Sequence, residues 1–182
     1  EGIVGSAPMA KILVVKILDS KKQSTLEEGV MGVIKAIIWA TNKGAKVINI
    51  SRRGTGVFPP LGYAINYAVT KGAVVVVASG NEGIEVLHPY HPSGQVPANY
   101  HNVLTVGSIN SQDQYSVFGN KSASNIGNVG FDNIKISTYG GGIGDCANGP
   151  NSILSTKSSE NIFTNYHLSY PNESGRYLRM AG

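Results

Sequence analysis

VVVVASGNEG (Val74 to Gly83) joins four consecutive valines to a turn of small residues that carries one amide, Asn81. An apolar run of this length, rich in β-branched side chains and ended by glycine, is typical of a strand buried on both faces. Ligands of open α/β sheets bind just beyond the carboxyl ends of such strands. The stretch therefore predicts a strand over Val74 to Ala78 in a parallel sheet, with a candidate site at the turn that follows Ala78.

The segments around this strand alternate between strand patterns and helix patterns. Three further apolar runs predict strands: Lys11 to Leu18 (KILVVKIL), Lys46 to Ile50 (KVINI) and Val103 to Val106. A capping box at Ser24 to Glu27 opens a helix that ends at Lys43-Gly44. Pro60 opens a second helix, which ends at Lys71-Gly72. This order predicts an α/β fold of three αβα layers, with a parallel sheet between helices.

The C-terminal part of the chain has a different character. From residue 108 onward it is rich in Ser, Asn and Gly, and its only strand candidates are the short runs Ile134 to Thr138 and Ile153 to Thr156. We interpret residues 1–182 as one incomplete domain. Residues 1–118 form its α/β core, and residues 119–182 form a loop-rich remainder.

Composition excludes several classes of protein. The 182 residues are 41% hydrophobic and 14% charged, which is typical of a globular domain. No apolar run reaches the ~18 residues of a membrane span, and the net charge of +4 is too scattered for a nucleic-acid-binding face. Cys146 is the one cysteine, so no disulfide can form within the chain. Low charge and 23 glycines are compatible with a secreted or cell-surface protein, and the compartment stays open.

Metal sites leave little trace in the sequence. His88 and His91 lie three residues apart, but the prolines around them predict a loop, and no Cys or carboxylate cluster accompanies them. We expect a loop without metal ligands, and a weak metal site is the alternative.

The turn after the valine strand has two interpretations. Ser51 follows one predicted strand and Ser79, Gly80 and Asn81 follow the next, so these residues should meet at one edge of the sheet. A side-chain amide there is well placed to donate to a developing oxyanion. Alternatively, Asn81 is present only because asparagine tolerates an unusual turn conformation. The residues alone leave both open.

Four motifs carry a resemblance to a known family. They are GIVGSAPMAKILVVKIL (residues 2–18), WATNKGAKVINIS (residues 39–51), VVVVASGNEG (residues 74–83) and VPANYHNVLTVGSIN (residues 96–110). Their order and spacing resemble those of the subtilisin-like serine proteases, the subtilase family, over residues 1 to about 118. The resemblance implies a subtilisin-like fold and hydrolysis of peptide bonds in protein or peptide substrates. It also implies that the chemistry requires no cofactor, and it leaves open whether a structural calcium ion binds.

The resemblance also implies roles for particular residues. Asn81 corresponds to the asparagine of the oxyanion hole. The segment Ser51, Arg52, Arg53 and Gly54 corresponds to the edge strand that pairs with the substrate backbone. The segment Ala78, Ser79 and Gly80 lines the pocket for the substrate side chain next to the scissile bond. Pro97 matches a position that is cis in the family.

The chain also departs from the family pattern. The motifs that carry the catalytic Asp, His and Ser do not occur in the 182 residues. We therefore expect the central portion of a peptidase domain, inactive as this isolated chain, whose partner is the remainder of the parent domain. Two alternatives stay open: a catalytically dead homologue that binds extended peptides by strand addition, and a structural α/β domain with neither activity.

Arg52 and Arg53 replace a Leu and a Gly that the family usually has at these positions. Two guanidinium groups beside the substrate edge have two interpretations. Both side chains extend into water, or they recognise acidic residues of the substrate.

Overall fold

The computed structural model describes residues 5–17, 26–87, 91–122 and 134–140, together with the backbone of residues 153–156, 170–171 and 177–180. The two helices are α1 (Leu26–Asn42) and α2 (Pro59–Thr70). The strands are β1 (Val47–Ile50), β2 (Gly54–Thr55), β3 (Val74–Ala78), β4 (Glu85–Val86), β5 (Gln95–Val96), β6 (Leu104–Ile109), β7 (Lys121–Ser122), β8 (Ile134–Tyr139), β9 (Ile153–Thr156), β10 (Tyr170–Pro171) and β11 (Tyr177–Met180).

A four-stranded parallel sheet organises the molecule. Its strand order is β1-β3-β6-β8, and the register pairs Ile50 with Val77 and Ala78 with Val106. The valine run forms β3, which has a parallel neighbour on each side, and the side chains of Val75 and Val77 are 1% exposed. The predicted parallel α/β sheet around this strand is confirmed.

Helices α1 and α2 bury one face each in a core shared with the sheet. Their buried residues recur every three to four positions: Val30, Val33, Ile34 and Ile37 in α1, and Leu61, Ala64, Ile65 and Ala68 in α2. Each helix is followed by a glycine with positive φ, +83° at Gly44 and +82° at Gly72. Only glycine adopts such angles without strain, so both predicted helix ends are confirmed.

The strand predicted over Lys11 to Leu18 is wrong for the described residues 11–17. They contain no strand, and the side chains of Ile12 and Val14 are 86% and 81% exposed. A strand requires a neighbour for its backbone hydrogen bonds. The described strands include none that pairs with this segment, and β1 pairs only with β3.

The segment beyond residue 118 contributes to the central sheet. β8 lies within the predicted loop-rich remainder, yet it is the fourth strand of the sheet and pairs with β6. The division of the domain at residue 118 stays a prediction. The Val96-Pro97 peptide bond is cis, as expected.

Candidate functional site

The two candidate segments begin at the same edge of the sheet. β1 and β3 are parallel neighbours, so their carboxyl ends lie side by side. Ser51 directly follows β1, while Ala78 ends β3 and is followed by Ser79, Gly80 and Asn81. Ser79 is buried and donates its backbone N–H to the carbonyl oxygen of Val106 in β6 at 3.0 Å. The topology thus anchors the turn at the sheet edge.

An ion pair joins the segment after β1 to the turn after β3. Arg53 Nε lies 2.7 Å from Glu82 Oε1. The Arg53 chain also passes the turn closely, because a Cβ added to Gly80 would lie 3.2 Å from Arg53 Cδ. The structure therefore brings these two groups of sequence-predicted residues together.

Asn81 stands at the outer end of the turn. The residue is exposed, and its backbone N–H donates to Glu82 Oε2 at 3.1 Å. Its side-chain amide hydrogen-bonds to none of the described residues. Among the described non-glycine residues, only Asp113 has positive φ, so the backbone at Asn81 does not require an asparagine. The amide is available to donate to a bound molecule.

Gly80 gives the turn its shape. Its φ is +109°, a conformation that residues with a Cβ rarely adopt. A Cβ at this position would collide with Asn120 Nδ2 and would lie 2.7 Å from Glu82 Oε2. The close approach of these two side chains to the backbone is possible only because position 80 has no side chain.

Buried Asn120 fixes the turn through hydrogen bonds, and the sequence analysis did not identify it. Its side chain is fully buried. Its Nδ2 donates to the carbonyl oxygen of Ser79 and to Glu82 Oε2, both at 2.9 Å. Its Oδ1 accepts from the backbone N–H groups of Glu82 and Ile84, both at 3.1 Å. The position of Asn81 thus depends on one buried amide far away in sequence.

Ser51 to Gly54 is irregular at its start. Ser51 is exposed and its Oγ accepts a hydrogen bond from Asn49 Nδ2 at 3.1 Å, while Arg52 and Arg53 are partly buried. Gly54 begins β2, where it pairs antiparallel with Val96 of β5. The role of this segment as a substrate-binding edge stays a prediction.

The chain matches the model of Peptidase S8, the subtilase family, over residues 1–180. The chain belongs to the subtilase family. It is 39% identical over 119 residues to a thermophilic serine proteinase of Bacillus sp. strain AK1, which covers 65% of the chain and 27% of that proteinase. It is also 39% identical over 117 residues to thermitase of Thermoactinomyces vulgaris, covering 64% of the chain and 38% of thermitase. The chain thus spans about a third of the length of these curated relatives.

Solved structures show the same fold. A lanthipeptide protease superposes with a TM-score of 0.68 at 19% identity, over 92% of this chain and 49% of that one. A protease from Pseudoalteromonas arctica gives a TM-score of 0.68 at 23% identity, over 100% of this chain and 48% of that one. The epidermin leader peptide processing serine protease from Staphylococcus aureus gives a TM-score of 0.59 at 26% identity, over 88% of this chain and 41% of that one. The subtilisin-like α/β fold expected from the sequence is confirmed.

The structure bears on the membrane and metal predictions only where it describes the chain. Neither helix in the described part has the length and apolarity that a membrane crossing requires. Within the same part, no three His, Cys, Asp or Glu side chains are grouped as metal ligands would be. His88 lies outside the described residues. The expectation that the chemistry needs no metal stays a prediction. Whether a structural calcium ion binds stays open.

Proposed function

We propose that this chain supplies the oxyanion hole and the substrate-binding edge of a serine endopeptidase domain that hydrolyses peptide bonds. The observation that carries the proposal is the exposed amide of Asn81, which has no hydrogen-bond partner among the described residues and stands on a turn fixed by buried Asn120. A structural turn asparagine has no need of an unpartnered amide. A donor of this kind stabilises charge that develops only in the transition state.

In the proposed mechanism an extended peptide lies along Ser51 to Gly54 with its scissile carbonyl near Asn81. The side chain next to the scissile bond points toward Ala78, Ser79 and Gly80. A serine supplied by the remainder of the domain attacks the carbonyl while a histidine accepts its proton. Asn81 Nδ2 donates to the oxygen that becomes negatively charged. Collapse of the tetrahedral intermediate, with transfer of the proton from the histidine to the leaving nitrogen, releases the amine product and leaves an acyl-serine. Water activated by the same histidine then hydrolyses the acyl-serine, which releases the acid product and restores the serine.

The test uses the protein that the complete coding sequence specifies. Asn81→Ala should lower kcat for peptide hydrolysis by ~10²–10³ with little change in KM, because the amide bonds to the transition state and hardly to the bound substrate. Asn102→Ala is the matched control. Asn102 is an exposed amide that donates to Asn66 Oδ1 at 2.7 Å, just before the amino end of β6 and therefore at the opposite edge of the sheet. An unchanged kcat in Asn81→Ala contradicts the proposed role.

A protein that binds such peptides without hydrolysing them would instead match the catalytically dead homologue. In that case the complete protein retains peptide affinity, and neither the wild type nor either variant shows turnover.

A further inference from the structure

A cleft opens to solvent beside Arg52, and we call it the Arg52 cleft. It lies between the two helices and the segment after β1. Its walls are mostly aliphatic: Val30 and Val33 of α1, Ile50 of β1, Leu61 of α2 and Val96 of β5. Gly54 also lines it, so the cleft borders the segment proposed to bind substrate backbone.

The guanidinium of Arg52 lies against α1 rather than in bulk water. A Cβ added to Gly29 would lie 2.5 Å from Arg52 Nη2 and 3.1 Å from Arg52 Cζ. Glycine is less favourable than alanine within a helix. At position 29 the missing side chain leaves the space in which the guanidinium lies.

Arg52 is a cation without a counterion among the described residues. Its Nη1 is buried and has no hydrogen-bond partner. Neighbouring Arg53 differs, because its Nε is paired with Glu82 at 2.7 Å. A buried donor that loses water and gains no acceptor carries a desolvation penalty, and for a charged group that penalty is large. An incoming acceptor would remove it.

The chemistry of the cleft selects one class of acceptor. A carboxylate has the charge and the planar shape to accept two parallel hydrogen bonds from a guanidinium. The aliphatic walls suit the methylene groups of an acidic side chain and exclude water around the charges, which strengthens their attraction. A side-chain amide of the same shape carries no charge and offers only one oxygen.

We propose that the Arg52 cleft receives an Asp or Glu side chain of an extended peptide bound along Ser51 to Gly54. This inference rests on the proposed function, because that function supplies the peptide. Side chains of an extended peptide alternate between its two faces, so one of them is directed into a cleft beside the edge. Arg52 is the specificity-determining residue, whereas Arg53 is engaged with Glu82.

The test measures binding of fluorescent peptides to the protein that the complete coding sequence specifies, by anisotropy, with a non-hydrolysable bond in place of the scissile amide. A series of otherwise identical peptides places Glu or Gln at each position in turn. We expect about tenfold tighter binding of Glu than of Gln at one position, or about 1.4 kcal/mol, because hydrogen bonds to charged groups are stronger than neutral ones. The preference should vanish in Arg52→Gln.

Two further variants separate local from general effects. Gly29→Ala keeps the positive charge but fills the space beside the guanidinium, so it should weaken the preference. Lys35→Gln removes one exposed positive charge from the same helix outside the cleft and should leave the preference intact. Unfolding curves followed by the fluorescence of Trp39 confirm that each variant is folded.

The outcomes distinguish this inference from the function on which it rests. Equal binding of the Glu and Gln peptides, or a preference that survives Arg52→Gln, overturns the assignment of the cleft and leaves peptide binding at the edge in place. Failure of every extended peptide to bind the wild-type protein overturns both.

Discussion

Replacing Asn120 by alanine should loosen the turn that carries Asn81. The buried Asn120 side chain makes four hydrogen bonds, to the Ser79 carbonyl, to Glu82 Oε2 and to the N–H groups of Glu82 and Ile84. Alanine removes all four hydrogen bonds at once and leaves their partner groups without Asn120. Because Asn120 is fully buried, we expect water to restore only some of these bonds in the variant.

The magnitude follows from where the orphaned groups lie. The Ser79 carbonyl belongs to a residue that is 3% exposed, so leaving it unpaired costs about 1–3 kcal/mol. The Glu82 and Ile84 amides belong to exposed residues and recover part of their bonding from water, so each adds roughly 0.5 kcal/mol. We expect Asn120→Ala to lower the free energy of unfolding by about 2–4 kcal/mol, a large fraction of the ~5–15 kcal/mol typical of a domain.

Urea unfolding followed by Trp39 fluorescence measures this loss, since Trp39 lies in α1 and is the only tryptophan of the chain. Asn102→Ala is the control, because it removes an equivalent amide from an exposed pair and should cost less than about 0.5 kcal/mol. The reasoning is refuted if the two variants lose the same stability.

Three other predictions concern the same turn and the reactivity of the 182-residue chain. Gly80→Ala should lower the free energy of unfolding by about 2 kcal/mol or more, because alanine is strained at positive φ and its Cβ would contact Glu82 Oε2. Gly5→Ala is the control, since a Cβ at position 5 meets open space, and it should be neutral in the same urea titration. Glu82→Gln should lower the free energy of unfolding by at most ~1 kcal/mol, because it removes the partly exposed ion pair with Arg53. Unfolding curves at low and high salt should show this loss shrinking as salt rises. A larger loss at high salt contradicts a screened pair. The 182-residue chain alone should not label with a fluorophosphonate, and a single modified serine found by mass spectrometry would overturn this.

Local pattern predicted the central elements well because their signals are short-range. The run at Val74 to Ala78 is apolar on both faces, and the observed strand has the same bounds. Helix α2 begins within one residue of the predicted Pro60, because proline is favoured in the first turn of a helix. Its end was predicted from the glycine that follows it.

Elements that depend on distant partners were missed or misassigned. The strand pattern at residues 11–17 is as good as that of β1, but strand formation needs a neighbour, which no local pattern records. Asn120 is identified only by its partners Glu82 and Ser79, which lie 38 and 41 residues away. The Arg53–Glu82 pair is likewise a contact across two loops. The resemblance implied a site role for Asn81, which stays a prediction, and no local pattern indicated the side chains that hold its turn.

The most direct test of the central claim is kcat for Asn81→Asp in the protein specified by the complete coding sequence. Aspartate keeps the size and the turn preference of asparagine, yet near neutral pH it has no N–H to donate and carries a negative charge. If Asn81 donates to the oxyanion, kcat falls by at least the ~10²–10³ expected from loss of one donor. A kcat within about twofold of wild type, or ~0.4 kcal/mol, would show that the turn needs only the shape of this side chain.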